Sequence, residues 1–290
     1  MNNYNRKVWF ITGASKGLGF EITRAALCAG DLVAATIRKK KDSIVQKLGS
    51  NPHLLELRMD VTDEEQVKIA VNKAFDHYGK LDVVVNNAGY SILTAIEEAS
   101  DREAREQYNT NVFGVLNVLR AVLPYLRQQR SGHIINMSSL FAFDVIPGWG
   151  LYASTKLAVE GISAGLSKEL GPFGIKVTVI EPGLFTTNLT SNKSYRIAAN
   201  SINDYKQTMV GYIKSQTDSF HGTERGDPAK LADIVIMLSR SERAPLHLPI
   251  GADAIAHYET KIKQFADDID AWRNLTMQTD HASETSTNST

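Results

Sequence analysis

Cysteine is almost absent from this sequence, in which Cys28 is the only one. A single cysteine cannot form a disulfide within the chain, and its apolar surroundings from Ala25 to Ala29 favour a buried structural thiol. No window approaches the run of about 20 apolar residues that a membrane-spanning helix needs. The polar segment Met1 to Lys7 lacks the apolar core of a signal peptide. We therefore expect a cytoplasmic protein with no membrane partner.

The sequence also has no excess of either charge, since 32 basic residues balance 32 acidic ones. A neutral chain gives no electrostatic reason to expect nucleic acid as a partner. Small molecules are the expected partners, and no residue pattern indicates a metal site.

Short apolar, β-branched runs alternate with longer amphipathic segments along the first 180 residues. The predicted strands are Val8 to Thr12, Leu32 to Ile37, Leu54 to Met59, Leu81 to Asn86, His133 to Met137 and Ile175 to Ile180. The predicted helices begin near Gly17 and Asp63 and span about Arg102 to Gln129 and Tyr152 to Leu170. Such alternation predicts an α/β fold, a Rossmann-type doubly wound domain with a central parallel sheet of about seven strands and helices on both faces.

The alternation stops after Pro182, the end of the sixth predicted strand. We expect the polar, aromatic stretch 184–226 to be a mobile substrate lid. Asp227 and Pro228 predict the start of a helix that runs to Arg240, and a short strand at Leu246 to Ile250 follows. A C-terminal helical extension covers about 252–278, and the polar tail 281–290 should be disordered. One domain over 1–280 is the economical interpretation.

A glycine-rich turn follows the first strand directly and opens a helix, with the sequence Thr-Gly-Ala-Ser-Lys-Gly-Leu-Gly from Thr12 to Gly19. Such a turn lets the backbone approach a pyrophosphate, and the helix N-terminus beyond it attracts the anion. Glycines also serve tight packing, so this turn alone does not establish a dinucleotide site.

The second strand ends in cations where a site for NAD would place a carboxylate, because Arg38 is followed by three lysines. Arg38 can donate two hydrogen bonds to a 2′-phosphate, and Lys16 can reach the same group from the glycine turn. The pattern favours NADP(H) over NADH. The alternative is that this basic run is only a solvated helix start.

Tyr152 and Lys156 lie four residues apart on one predicted helix and therefore share a face. A tyrosine with a pKa of about 10 needs a nearby positive charge before it can exchange protons near neutrality, and Lys156 supplies one. Ser138 and Ser139 end the preceding strand at the sheet edge where ligands bind in such folds. A serine there could hydrogen-bond a substrate oxygen, or it could only form a turn.

In this order, these motifs resemble those of the classical short-chain dehydrogenases/reductases, over about Lys7 to Gly183. The resemblance includes the glycine turn, the Asn-Asn-Ala-Gly segment from Asn86 to Gly89, the Tyr152 and Lys156 pair, and the Pro182-Gly183 step. It implies a catalytic tetrad of Asn111, Ser139, Tyr152 and Lys156, in which Asn111 holds a water that continues a proton relay from Lys156.

The resemblance and the basic strand end together give a set of expected cofactor-binding residues. They are Gly13, Ser15, Lys16, Gly17, Leu18, Gly19, Arg38, Asp60, Val61, Asn87, Ala88, Gly89, Tyr152, Lys156, Pro182, Gly183 and Thr187. Asp60 would contact the adenine, Asn87 to Gly89 would line the adenine and ribose channel, and Thr187, or less readily Thr186, would hold the carboxamide or diphosphate. Without the resemblance, Asn111 could simply cap or kink a helix, and Asp60 could be an N-cap, a role open equally to Thr62 or Asp63.

The residues expected around the substrate are apolar or aromatic. They are Leu140, Phe141, Val145, Trp149, Leu184, Phe185, Tyr195, Tyr205, Tyr212 and Phe220. They favour a bulky uncharged ketone or secondary alcohol, although Arg196, Lys214 or His221 could reverse that preference. The predicted function is an NADP(H)-dependent carbonyl reductase or alcohol dehydrogenase. Hydroxysteroid or retinol conversion, a nucleotide-sugar epimerase and a non-catalytic NADPH sensor are the alternatives. Relatives commonly pair through two long helices, so a homodimer or homotetramer is expected.

Overall fold

A computed structural model describes residues 6–186, 195–220 and 224–281 of the chain. The strands are β1 Val8–Ile11, β2 Leu32–Ile37, β3 Leu54–Arg58, β4 Val83–Asn86, β5 Ser91–Leu93, β6 Gly132–Met137, β7 Ile175–Pro182, β8 Tyr195–Ile197 and β9 His247–Ile250. Seven of them form one parallel sheet in the order β3-β2-β1-β4-β6-β7-β9.

Helices cover both faces of this sheet. They are α1 Gly17–Cys28, α2 Val45–Leu48, α3 Glu64–Tyr78, α4 Asp101–Tyr108, α5 Gly114–Gln129, α6 Gly150–Leu170, α7 Met209–Phe220, α8 Pro228–Arg240 and α9 Ala252–Thr276. Successive strand residues point to opposite faces. In β1, Phe10 packs with α3, α5 and α6, whereas Trp9 packs with α1 and α8. The predicted doubly wound fold with about seven parallel strands is confirmed.

The long helix predicted from Arg102 to Gln129 is interrupted. Helix α4 ends at Tyr108, a π-helical turn spans Asn109–Phe113, and α5 begins at Gly114. The turn adds a residue to the helix and carries Asn111 in its middle. Helix α4, with the sequence Asp-Arg-Glu-Ala-Arg-Glu-Gln-Tyr, has too few apolar residues to define a face, so the change of phase at the turn gives no signal in the sequence.

The stretch predicted to be a weakly periodic insertion contains regular structure. Strand β8 pairs in parallel with β5 in a second, two-stranded sheet, and helix α7 follows. Lys214 of α7 forms an ion pair with Glu98, a carboxylate that is almost fully buried. Two three-residue strands are too short to show a period of two, which explains why the pattern missed them.

The prediction of a buried Cys28 is wrong, because its side chain is exposed. The buried residues of α1 are Gly19, Ile22, Thr23 and Ala26. Cys28 follows Ala26 by two positions, which is about 200° around the helix, so it faces away from the sheet. Within the described residues, no helix is long and apolar enough to cross a membrane.

Candidate active site

One large cavity of about 800 Å³ opens at the carboxyl ends of the central strands. It lies where the strand order reverses between β1 and β4, the place where open parallel sheets bind ligands. Its lining residues come from the glycine turn, the ends of β2, β3, β4, β6 and β7, and helix α6. They include Gly13, Ser15, Lys16, Gly17, Leu18, Arg38, Asp60, Val61, Asn87, Ala88, Gly89, Ser139, Tyr152, Lys156, Pro182 and Gly183.

The glycine turn is held by the segment that follows β4. The Thr12 hydroxyl accepts hydrogen bonds from the backbone N–H groups of Asn87 and Ala88, both at 3.0 Å. In return, the Asn87 side-chain amide donates to the carbonyls of Thr12, at 2.9 Å, and Gly13, at 3.1 Å. Gly13 has φ +65°, and a Cβ there would lie 2.8 Å from the Ala88 Cα. The two loops therefore fix each other in place.

Helix α1 presents its N-terminus to the cavity. Its N-cap residue, Lys16, makes no side-chain capping hydrogen bond. The first N–H groups of a helix have no intrahelical partner and attract anions. Gly19 does not line the cavity but allows close packing, since a Cβ there would lie 2.3 Å from the Asn87 side-chain nitrogen. The turn and the helix together fit a phosphate group.

The phosphate end of the cavity is rich in cations. Lys16, Arg38, Lys39, Lys41 and Lys47 line it, and the cavity also contains two carboxylates, Asp42 and Asp60. The Arg38 side chain is exposed and forms no ion pair with another described residue.

Sequence reasoning missed Lys47, which reaches the cavity from α2 and donates a hydrogen bond to the Ser15 carbonyl. Its Nζ lies 5.4 Å from the centre of the Phe20 ring. In the sequence, the only sign of this role for Lys47 is that one more lysine follows the basic run from Arg38 to Lys41.

At the other end of the cavity, Ser139, Tyr152 and Lys156 come together. Tyr152 and Lys156 lie one turn apart on α6, and the Lys156 Nζ is 5.6 Å from the centre of the Tyr152 ring. Lys156 also donates a 2.8 Å hydrogen bond to the Met137 carbonyl at the end of β6. The Ser139 hydroxyl accepts a hydrogen bond from the Phe141 N–H at 3.2 Å. The three side chains that the sequence singled out are therefore neighbours.

Burial sets the protonation of this group. It raises the pKa of Tyr152 to about 12, opposed by a hydrogen bond with Ser139. It lowers the pKa of Lys156 to about 8, opposed by the negative charge of Glu160. At neutral pH, Tyr152 is therefore a neutral phenol and Lys156 is mostly protonated.

Asn111 does not line the cavity but lies directly behind it, only 1% exposed. Its side-chain oxygen accepts from the Tyr90 N–H at 3.1 Å, and its nitrogen donates to the Tyr90 carbonyl and to the Thr155 hydroxyl at 2.9 and 3.0 Å. A Cβ on Gly89 would lie 3.2 Å from the Asn111 oxygen and 3.7 Å from the Lys156 Nζ. Asn111 and Lys156 therefore converge on the space beside Gly89.

Asp60 lines the cavity beside Val61, and its carboxylate accepts hydrogen bonds from the N–H and hydroxyl of Thr62 at 3.0 and 2.8 Å. The N-cap of α3 is Asp63, so Asp60 is not needed for that role. Thr187 lies outside the described residues. The hydroxyl of Thr186, its less favoured substitute, donates to the Glu224 carbonyl at 2.9 Å.

The expected substrate-contact residues divide into two groups. Leu184, Phe185 and Tyr195 line the cavity, as does Arg196, which stacks over Tyr90 at 4.8 Å. The others do not line it: Leu140, Phe141 and Trp149 pack around Tyr152 instead, Val145 is exposed, and Tyr205 and Tyr212 lie elsewhere. The Phe220 side chain and His221 lie outside the described residues. Sequence reasoning missed Tyr90 and Thr110, which also line the cavity.

A family model described as short chain dehydrogenase matches residues 7–197, which contain all of the motifs above. The chain belongs to the classical short-chain dehydrogenase/reductase family. It is 38% identical over 273 residues to oxidoreductase BOA17 of Botryotinia fuckeliana, covering 93% of this chain and 98% of the relative. It is 36% identical over 247 residues to a 3-ketodihydrosphingosine reductase of Bacteroides thetaiotaomicron, covering 84% and 88%.

Two solved structures have the same architecture. That of a short-chain dehydrogenase from Streptomyces avermitilis superposes with a TM-score of 0.87 at 34% identity, covering 96% of this chain and 100% of that one. The structure of ElxO with NADP bound gives 0.70 at 27% identity, covering 87% and 99%. This chain is thus an oxidoreductase of a family that binds nicotinamide dinucleotides.

This short-chain dehydrogenase also has a buried acidic cluster one turn beyond Lys156, which sequence reasoning missed. Nδ1 of His247 lies 3.2 Å from a Glu160 carboxylate oxygen and 3.1 Å from one of Glu181. Both glutamates are buried, whereas His247 is partly exposed. Burial and the charge of Glu160 raise the pKa of Glu181 to about 8. Glu181 therefore holds a proton at neutral pH, and His247 connects the cluster to solvent.

Proposed function

We propose that this chain is an NADP(H)-dependent carbonyl reductase or secondary alcohol dehydrogenase with Tyr152 as its acid and base. One observation carries the proposal: a single cavity has an uncapped helix N-terminus with five cations at one end and Ser139, Tyr152 and Lys156 at the other. A dinucleotide with an extra phosphate fits such a cavity, because its charge is concentrated at one end.

Different residues of the chain would bind different parts of the cofactor. The glycine turn and the first turn of α1 would hold the pyrophosphate, and Arg38 with Lys16 would hold the 2′-phosphate. Asp60 and Val61 would border the adenine, and Asn87 to Gly89 the ribose. When bound, NADPH supplies the hydride for reduction of a carbonyl group.

Proton transfer belongs to Tyr152. A carbonyl oxygen between the Ser139 and Tyr152 hydroxyls would receive the Tyr152 proton as its negative charge develops. Because the pKa of Tyr152 is about 12, the phenol carries that proton throughout the neutral range. The positive Lys156 stabilises the phenolate that remains, since opposite charge favours the ionised form. Asn111, behind Gly89, would hold a water that returns a proton through Lys156.

The substrate is a bulky uncharged ketone or the corresponding alcohol. Tyr152 packs against Leu140, Phe141 and Trp149, and the cavity wall beside it contains Leu184 and Phe185. Leu184 and Phe185 offer the substrate apolar contact, whereas Leu140, Phe141 and Trp149 support Tyr152 from outside the cavity. The similarity to a reductase named for a keto lipid base supports this class. Hydroxysteroids and retinol-type alcohols remain alternatives of the same kind, and Arg196 is the lining residue that could favour an acid instead.

Replacing Tyr152 by Phe tests the catalytic role. We expect the Tyr152→Phe protein to bind NADPH within about twofold of the original while turnover falls by roughly 10²- to 10⁴-fold, the usual contribution of a general acid. Tyr108→Phe is the matched control, because among the described residues the Tyr108 hydroxyl hydrogen-bonds to Ser154, and neither residue lines the cavity. Retention of most activity by Tyr152→Phe would refute the assignment, and a chain that binds NADPH with no turnover on any carbonyl would favour the sensor alternative.

Removing the Arg38 side chain tests the cofactor preference. A charge-assisted hydrogen bond contributes about 1.5–3 kcal/mol, so Arg38→Ala should weaken NADPH binding by roughly 10- to 100-fold and leave NADH binding unchanged. Lys40→Ala is the control, since Lys40 belongs to the same basic run but does not line the cavity. Quenching of tryptophan fluorescence reports both constants. Equal affinity of the original protein for NADPH and NADH would contradict the preference.

The substrate class is tested by comparing neutral aryl and long-chain ketones with charged keto acids at equal concentration. The values of kcat/KM should be higher for the neutral ketones. A clear preference for the acids that Arg196→Ala abolishes would overturn this choice while leaving the role of Tyr152 intact.

A further inference from the structure

Helix α9 leaves the body of the protein after its first two turns. Ala254 is its buried residue, the Tyr258 ring contacts Phe143 at 5.2 Å, and His257 forms an ion pair with Asp144. Beyond Lys261, every described residue of the helix is exposed. At 1.5 Å per residue, its 25 residues span about 37 Å, and more than half of that length has no support from the rest of the chain.

An apolar stripe runs along this projecting helix. We call it the α9 stripe, and it consists of Ile255, Tyr258, Ile262, Phe265, Ile269 and Trp272. Its members are separated alternately by three and four residues, the a and d spacing of a coiled coil. Four of them stand far from the body, with exposures of 65% for Ile262, 50% for Phe265, 57% for Ile269 and 61% for Trp272.

Such a stripe needs a partner. Helices in proteins gain most of their stability from packing an apolar face, and contiguous exposed apolar surface marks an interaction site. The alternating spacing reads the same from either end of the helix, so a reversed copy of α9 is complementary to it. We propose that the α9 stripe pairs with α9 of a second copy of this chain as an antiparallel two-stranded coiled coil.

In this pairing, each a position meets a d position of the other helix. Ile262 packs against the partner's Phe265, and Ile255 packs against the partner's Trp272. The pairing is symmetric, so every contact occurs twice, as a twofold dimer requires.

The flanking charges select this register. It brings Lys261 beside the partner's Asp268 on both sides of the twofold axis, at positions that flank the apolar seam. Asp268 forms no ion pair with another described residue, whereas Asp267 and Asp270 are paired within the helix to Lys263 and Arg273, at 2.7 and 2.6 Å. An antiparallel register shifted by one heptad would instead place Asp268 against the partner's Asp268. Asp268 is thus a carboxylate beside the α9 stripe that is available to the partner.

The area and the charge of the helix fit a second copy better than a lipid surface. Side chains of this size expose roughly 100 Å² each when half exposed, so the five exposed members of each stripe, without Tyr258, would bury on the order of 1,000 Å², about the minimum for a specific interface. Helix α9 carries five acidic residues against three basic ones. An interfacial membrane helix is instead rich in Lys and Arg on its polar face.

Sedimentation velocity on the full chain tests whether the α9 stripe forms the interface. Trp272→Asp should halve the mass of the assembly, or weaken its dissociation constant by at least about tenfold. Asn274→Asp adds the same charge two residues further on, away from the stripe, and should leave the mass unchanged. An unchanged mass for Trp272→Asp would refute the proposal. It would also be refuted if vesicles of phosphatidylcholine and phosphatidylserine bound the original protein but not this variant.

Exchanging the charges of Lys261 and Asp268 tests the register without changing any residue of the α9 stripe. Lys261→Glu and Asp268→Lys should each weaken association, because each places like charges together across the interface. The double variant carrying both changes should restore the original mass. In a parallel pair, Asp268 would instead meet the partner's Arg273, and Lys261 would meet no charge. Failure of the double variant to recover would therefore overturn the antiparallel pairing.

Discussion

Replacing Thr12 by Val should separate the two loops that hold the cofactor end of the cavity. Valine matches threonine in shape but has no hydroxyl, and the Thr12 hydroxyl accepts from the N–H groups of Asn87 and Ala88 and donates to the Val85 carbonyl at 3.3 Å. A buried donor without a partner costs about 1–3 kcal/mol. Two such donors, both partly buried, lead us to expect a loss of about 2–4 kcal/mol in the free energy of unfolding.

Urea unfolding followed by circular dichroism measures this loss, and NADPH titration measures its effect on the site. Because the same hydroxyl positions the Asn87 segment, which we propose borders the ribose, the affinity for NADPH should also fall by roughly tenfold. Thr12→Ser is the control, since it keeps the hydroxyl and removes only a methyl group, at a cost of about 1 kcal/mol. If the free energies of unfolding of Thr12→Val and Thr12→Ser differ by less than about 1 kcal/mol, the reciprocal hydrogen bonds do not hold the loops.

Two further changes test the buried polar groups around the site. Glu181 has a folded pKa of about 8 against an ordinary 4.5, so the folded protein keeps a proton that the unfolded chain loses and stability falls as pH rises between those values. Between pH 5 and pH 8, the free energy of unfolding of the original protein, measured with urea, should fall by about 1–3 kcal/mol more than that of Glu181→Gln. The same pH dependence in both proteins would show that Glu181 is ionised in the fold. Asn111→Leu removes three hydrogen bonds in a 1% exposed position and should cost about 2–4 kcal/mol, with a lower kcat for any carbonyl substrate. An unchanged melting temperature would mean that the π-helical turn stands without it.

Elements that carry their own local signals were predicted well. Strand β2 has the predicted bounds because it is a continuous apolar run buried on both faces. Helix α8 begins at the predicted Pro228, and the Asp227 carboxylate caps it by accepting from the Ala229 N–H at 2.9 Å. The fold and the shared cavity of Ser139, Tyr152 and Lys156 followed from such signals in order along the chain. The roles given to these residues stay predictions.

Features that depend on distant partners were not predictable. Strands β5 and β8 are about a hundred residues apart and have three residues each, so only the folded chain brings them together. The cluster of Glu160, Glu181 and His247 joins α6, β7 and β9, and none of the three residues lies in a motif of its own. Cys28 was misjudged because an apolar neighbourhood in sequence does not tell which face of a helix a residue occupies.

The π-helical turn between α4 and α5 restricts which residues of this helical segment can be inserted or deleted. One extra residue shifts the angular phase of everything beyond it by about 100°, so α4 and α5 are not one continuous helix in phase. That offset lets Asn111 reach Tyr90 while Val118 and Val122 stay in the core. Deleting a single residue here would improve the local helix yet rotate either the amide or the apolar face out of place. The extra residue, the position of the Asn111 amide and the apolar face of α5 are therefore coupled, and none of them can change alone.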